Sequence, residues 1–203
     1  MSGLYYFGRF LFYSCLKLLY CMRVHNPENI PGRKPFIICS NHIKWADPGT
    51  VGAAFPAHYR IRFMAKKELF DYFILSSLVR MAGAFPVDRE KADYGAIKTA
   101  YKLLNDGQVL GLFPEGSRSK NGKLQKAYNG AAMIAVRSGV PVVPVAIVGP
   151  YRFFRPLHVY IGSAFVLPPL VYENKEDKKA QLEEMSYEIM GRIRDLIPAT
   201  KAV

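Results

Sequence analysis

Apolar and polar positions along this chain switch between two periods. Three short runs, Pro35–Cys39, Val109–Phe113 and Val142–Val148, contain no charged residue and suit strands buried on both faces. Arg60–Ala65 and Ala84–Val87 read as further strands, and His158–Phe165 predicts an antiparallel or edge strand. Between these runs the apolar spacing becomes helical. Residues 67–81 place Leu69/Phe70, Phe73/Ile74, Leu78 and Met81 at helix intervals. Tyr94–Asn105, closed by Asp106-Gly107, and Asn129–Ser138 predict two more helices. A helix is expected from Asp47-Pro48, where Asp suits the N-cap and Pro the first helical position. The tail puts Leu182, Met185, Ile189, Ile193 and Leu196 on one helix face ahead of Pro198. Strand–helix alternation of this kind predicts an α/β fold, a mostly parallel layered sheet flanked by helices.

Residues 3–22 break the pattern, because only Arg9 and Lys17 are charged there. On a helix, Tyr6, Arg9, Tyr13, Lys17 and Tyr20 form one stripe, while Leu4, Phe7, Leu11, Leu18 and Met22 occupy the other side. The charges lie inside the segment and no small-residue cleavage site follows, unlike a signal peptide. Charges near the middle also disfavour a spanning helix, whereas tyrosines suit the membrane interface. The expectation is an amphipathic membrane-binding helix over residues 1–25, a turn-rich linker at 26–32, and one catalytic domain over 26–203. A helix of the domain core is the alternative.

Composition adds the sign of the partner. Twenty-eight Lys and Arg against sixteen Asp and Glu give +12 and a pI near 9.6. That balance calls for an anionic partner: nucleic acid, a phosphorylated small molecule, or an acidic bilayer surface. Cys15, Cys21 and Cys39 form no pairing pattern, and His25, His42, His58 and His158 are too scattered for a metal site, so none is expected.

Candidate chemistry sits in the loops after the strands, where α/β sheets build their sites. His42 and Asp47 follow the first run and suit a base and its orienting carboxylate. The spacing alone is a weak signal in a chain with four His. Asp47 as a helix cap and His42 as a plain loop residue is the alternative, and a carboxylate has oxygens for both tasks. Other loops add Gly83-Ala84-Phe85-Pro86-Val87-Asp88-Arg89, Phe113-Pro114-Glu115-Gly116-Ser117-Arg118-Ser119 and Val140-Pro141-Val142-Val143-Pro144-Val145.

These segments, in this order, resemble the glycerolipid acyltransferase family that makes phosphatidic acid from lysophosphatidic acid. The likeness runs from about Asn41 to Gly149, with Ala65-Lys66-Lys67-Glu68-Leu69 resembling the family's basic segment. It implies an O-acyltransferase in which His42 is the general base on the acceptor hydroxyl and Asp47 its partner. It further implies that Arg89, Glu115, Gly116 and Arg118 line the acceptor site, with Arg118 and Lys66 on the phosphate. Arg suits phosphate independently, as a planar fork of donors. The implied donor is a thioester of coenzyme A or acyl carrier protein, used as co-substrate with no cofactor. The implied acceptor is lysophosphatidic acid, with glycerol 3-phosphate or another lysolipid as alternatives. The implied location is the cytoplasmic face of the cell membrane, peripheral or monotopic, on an anionic lipid surface.

Lys44 departs from the family, which generally carries a small hydroxyl residue there. Either its charge keeps His42 neutral or it meets a donor phosphate. Two rival functions remain. A lipid hydrolase lacks its Gly-x-Ser-x-Gly elbow in this chain, and a basic nucleic-acid or lipid-surface module lacks any recognised nucleic-acid motif, so no nucleic-acid partner is expected.

Overall fold

A computed structural model describes residues 3–33, 35–88 and 93–199. The chain runs α1 (Gly3–Leu19), β1 (Arg23–His25), β2 (Phe36–Ser40), α2 (Asp47–Ala54), β3 (Arg62–Lys66), α3 (Phe73–Met81), β4 (Phe85–Val87), α4 (Tyr94–Asn105), β5 (Val109–Leu112), α5 (Gly130–Ser138), β6 (Val142–Val148), β7 (His158–Ile161) and α6 (Lys175–Asp195). Seven strands form one sheet in the order β1-β7-β6-β2-β5-β3-β4. Among the described residues, β6–β7 is the one antiparallel strand pair.

The central strands read as unbroken apolar runs because both faces are covered. Ile37 and Cys39 point into a core shared with α4, α5 and α6. Phe36 and Ile38 point the other way, into a core that includes Leu16 of α1 and Val51 of α2. A one-residue slip of β2 would exchange these two sets, so the register is tightly specified. It pairs Cys39 with Leu112 on β5 and Ser40 with Val145 on β6. The loops after β2, β5 and β6 therefore leave the sheet along one edge.

Several expectations change in detail. The helix expected over 67–81 is split into a short 3-10 turn at Lys67–Phe70 and α3, and Phe73 is 89% exposed instead of facing inward. The Asp71 N–H closes on Glu68 O, which ends the first turn before the α-helical ladder begins. The segment expected as one strand over 158–165 stops at Ile161, although Phe165 still bridges Val142. β7 is internal, because β1 pairs along its far side. β1 itself lay unread before the linker; three residues carry no period, and the strand forms only against β7.

α1 lies against α2, where Gly49 permits the approach: a Cβ there would meet the Phe12 ring at 2.5 Å. The two expected sides do not divide cleanly, since Tyr6 and Lys17 are exposed and Met22 is buried. Leu16 is buried and Phe12, Tyr13 and Tyr20 are partly so, while Phe7 (64%), Leu11 (60%) and Leu18 (72%) form an exposed apolar stripe.

Candidate active site

His42 is held at four points. At the end of β2 the Asn41 side chain takes over the ladder, donating to Ile147 O (2.9 Å) and accepting from Ile147 N–H (2.7 Å). Side-chain pairing there frees the main chain to turn away. The His42 N–H then donates to Glu115 Oε1 (2.9 Å), and its carbonyl accepts from Ser119 N–H (2.8 Å). Its ring stacks on Phe113 at 4.2 Å between centroids, and Phe113 stacks in turn on Phe63. The fourth hold is the 2.7 Å contact from Nδ1 to Asp47 Oδ2.

Asp47 is completely buried, and its carboxylate is saturated with donors. Oδ2 also accepts from the N–H groups of Ile43 (2.5 Å) and Lys44 (2.7 Å), and Oδ1 accepts from the Tyr151 hydroxyl (2.6 Å). This corrects the N-cap expectation: Ala46 is the cap position of α2, and Asp47 is its first residue, with its side chain turned back onto the preceding loop. A buried carboxylate surrounded by donors stays an acceptor, so the imidazole must carry its proton on Nδ1. Nε2 then presents a lone pair, and among the described residues it has no hydrogen-bond partner. His42 is only 8% exposed, so solvent reaches little else of it.

Glu115 is the second buried carboxylate, at 2% exposure. Oε1 takes the His42 N–H, and Oε2 lies 3.2 Å from the Gln125 N–H and 3.1 Å from its side-chain amide. Burial pushes its carboxyl above the ordinary range, although those donors pull it back. Glu115 thus fastens the catalytic loop to the segment that returns at residue 125. Its neighbour Gly116 has φ +66, and a Cβ would sit 2.8 Å from the Tyr128 ring, so no other residue fits without displacement.

Of the expected phosphate ligands, Arg118 and Lys66 fall within the described residues. Arg118 is exposed, one residue before the Ser119 N–H that holds His42, and among the described residues no carboxylate pairs with it. Lys66 ends β3 with its side chain half exposed, 3.3 Å from Glu68 Oε1. Arg89 lies outside the described residues. Its flanks are fixed, because the Asp93 carboxylate accepts from both Asp88 N–H and Ala96 N–H, which holds its pKa below the usual range. Lys44 is exposed, and only its backbone N–H reaches Asp47, a bond any residue but Pro could make. Cys39 is fully buried, and burial pushes its thiol up to about 12, so it supplies no thiolate.

Tyr151 was missed in the sequence. Its phenol oxygen stands 3.0 Å from Thr50 Oγ1 as well as 2.6 Å from Asp47. Burial first, and then the Asp47 charge, push the phenol far above its ordinary range, so it remains a proton donor. The signal was its place just after β6, at the same strand edge as the other site loops. Gln125 gave no such signal, since its role arises from a loop closing over ten residues.

An acyltransferase family model matches residues 21–148, more than half the chain. A 1-acyl-sn-glycerol-3-phosphate acyltransferase of Bacillus subtilis is 39% identical over 141 residues, covering 68% of this chain and 69% of that protein. One of Streptococcus pneumoniae is also 39% identical, over 128 residues that cover 62% of this chain and 47% of its own length. The crystal structure of the 1-acyl-sn-glycerophosphate acyltransferase PlsC from Thermotoga maritima superposes with a TM-score of 0.63 at 26% identity, covering 94% of this chain and 87% of that one. Family model, relatives and superposition agree, and the chain belongs to the acyltransferase family.

Proposed function

We propose that this protein transfers a fatty acyl group from a thioester to the sn-2 hydroxyl of 1-acyl-sn-glycerol 3-phosphate, giving phosphatidic acid for phospholipid synthesis. The observation that carries the reading is the free Nε2 of an imidazole whose Nδ1–H is locked on Asp47. As the acceptor oxygen attacks the thioester carbonyl, Nε2 takes its proton, the C–S bond breaks, and the imidazolium returns the proton to the leaving thiolate. Asp47 holds the ring in the productive tautomer and stabilises its charged form. Protons and electrons balance with donor, acceptor and His42 alone.

Arg118, with Lys66, supplies positive charge for the acceptor phosphate, and Arg89 is assigned the same task. Glu115 serves the acceptor site indirectly, by fixing the loop between His42 and Arg118, and Gly116 lets that loop turn. Coenzyme A or acyl carrier protein carries the acyl group as co-substrate. The outward apolar stripe of α1 fits a peripheral anchor on the cytoplasmic face of an anionic membrane. No helix among the described residues is long and apolar enough to cross one. The test is thiol release from each donor with each acceptor, with the lipid product identified by mass. Phosphatidic acid from lysophosphatidic acid is the expected result. Acylation of glycerol 3-phosphate or of an uncharged lysolipid instead reassigns the acceptor, and thiol release without any acceptor points to hydrolysis.

A further inference from the structure

The loop from β6 to β7 has a buried start and an exposed tip. Its Tyr151 reaches Asp47 (2.6 Å), and the next four residues are Arg152, Phe153, Phe154 and Arg155. Phe153 is 63% exposed and Phe154 75%, both on the catalytic edge of the sheet. We infer that this tip is a second membrane contact, in which the two phenyl rings enter the interfacial layer and the two arginines bind lipid phosphates beside the active site. The inference deepens the membrane reading of α1 and rests on it.

Three observations support it. First, the tip is built to be presented. Phe154 adopts a left-handed φ of 59, unusual for an aromatic residue, and its N–H is fixed on Leu19 O, the last residue of α1. Leu157 N–H bonds Tyr20 O (3.0 Å), and the Phe153 ring leans on Tyr20 at 5.4 Å. The exposed rings are therefore held in place, next to Leu18 at 72% exposure, at the end of the outward stripe of Phe7 and Leu11. Second, charge selects the occupant. Arg152 and Arg155 are exposed, and among the described residues neither has a carboxylate partner. A pair of rings between a pair of cations suits an anionic headgroup layer, where each half has its own phase, and repels a second copy of itself. Third, the tip adjoins the chemistry. It directly follows Tyr151, whose phenol is on Asp47, so its depth in the lipid sets the height of His42 above an acceptor lying in the same bilayer.

The experiment uses the full chain in three double variants: Phe153→Ser/Phe154→Ser, Arg152→Gln/Arg155→Gln and, on α1, Phe7→Ser/Leu11→Ser. Co-sedimentation is measured with phosphatidylcholine vesicles with and without phosphatidylglycerol. Activity is measured on vesicle-borne lysophosphatidic acid and on a short-chain, freely soluble analogue. The Phe pair variant is expected to lose about tenfold or more in vesicle binding and in turnover of the vesicle-borne acceptor, with the soluble analogue unaffected. The Arg pair variant is expected to lose most of the gain that phosphatidylglycerol confers. Unchanged vesicle binding in both tip variants overturns the inference. If the α1 variant alone detaches, the anchor reading stands without it; if no variant detaches, both fall. Loss of activity on the soluble analogue overturns it by making the tip a structural support of Tyr151. A raised KM for acyl carrier protein with vesicle binding intact overturns it in favour of an acidic donor protein.

Discussion

Replacing Tyr151 by Phe removes one hydrogen-bond donor and leaves the ring. The lost bond is the 2.6 Å contact to Asp47 Oδ1, inside a pocket where Asp47 is completely buried and water has no access to substitute. Hydrogen bonds to charged groups contribute about 1.5–3 kcal/mol, equivalent to roughly 10- to 150-fold in a rate if felt wholly in the transition state. Asp47 keeps its three donors on Oδ2, from His42, Ile43 and Lys44, so the tautomer survives and the lower end of that range applies. The expected result is a kcat lower by about tenfold with the KM for acceptor unchanged. The assay is initial rate against acceptor concentration for wild type and variant, with thermal unfolding measured alongside. A kcat within twofold of wild type would refute the reasoning. Lower stability with kcat intact would reduce Tyr151 to packing.

Other positions give independent checks. Glu115→Gln leaves a buried N–H of His42 or Gln125 facing an amide donor; thermal unfolding should show a loss of about 1–3 kcal/mol, with kcat reduced as the loop shifts. Gly116→Ala forces a side chain into the Tyr128 ring at positive φ, and should lower both stability and activity, whereas Gly122→Ala, with open space around it, should cost only the φ strain. Arg118→Lys keeps the charge but loses the fork, so the KM for a phosphate-bearing acceptor should rise about tenfold with kcat much less affected; equal kinetics would remove Arg118 from the phosphate site. Cys39 is raised from 9.0 to about 12 by burial, so its thiol stays protonated in the fold while the unfolded chain ionises. Its contribution to stability is fully present below pH 9.0 and is lost as pH rises toward 12; Cys39→Ala should flatten the denaturation-midpoint profile in that window.

Much of this architecture is legible in the sequence for a physical reason. β2, β5 and β6 are apolar without interruption because they are buried on both faces, and α4 carries its stop, Asp106-Gly107, in plain residues. His42 and Asp47 were legible as a pair, but the function of Asp47 was divided between cap and partner. Only the geometry decides, since it shows both oxygens committed to the loop and to Tyr151. What stayed hidden depends on contacts remote in sequence. Tyr151 is 104 positions from Asp47, and Glu115 is 73 from His42, so no local period reports them. The break in residues 67–81 was hidden for a different reason: a helical spacing persists across the 3-10 turn that the Asp71 N–H closes on Glu68 O. On α1, the pattern showed two sides but not which one meets the domain. In the fold, Phe12 packs on Gly49 and Leu16 is buried, with Tyr13 and Tyr20 partly so, while Phe7, Leu11 and Leu18 are exposed.

Whether Nε2 of His42 removes the acceptor proton is decided by the steady-state rate of phosphatidic acid formation from lysophosphatidic acid in His42→Ala, read by product mass beside the wild type. General-base help is typically about 10²- to 10⁴-fold, and the fixed ring also orients the hydroxyl, so the variant should fall at least that far while remaining folded. A His42→Ala protein that keeps near-full turnover would contradict the account.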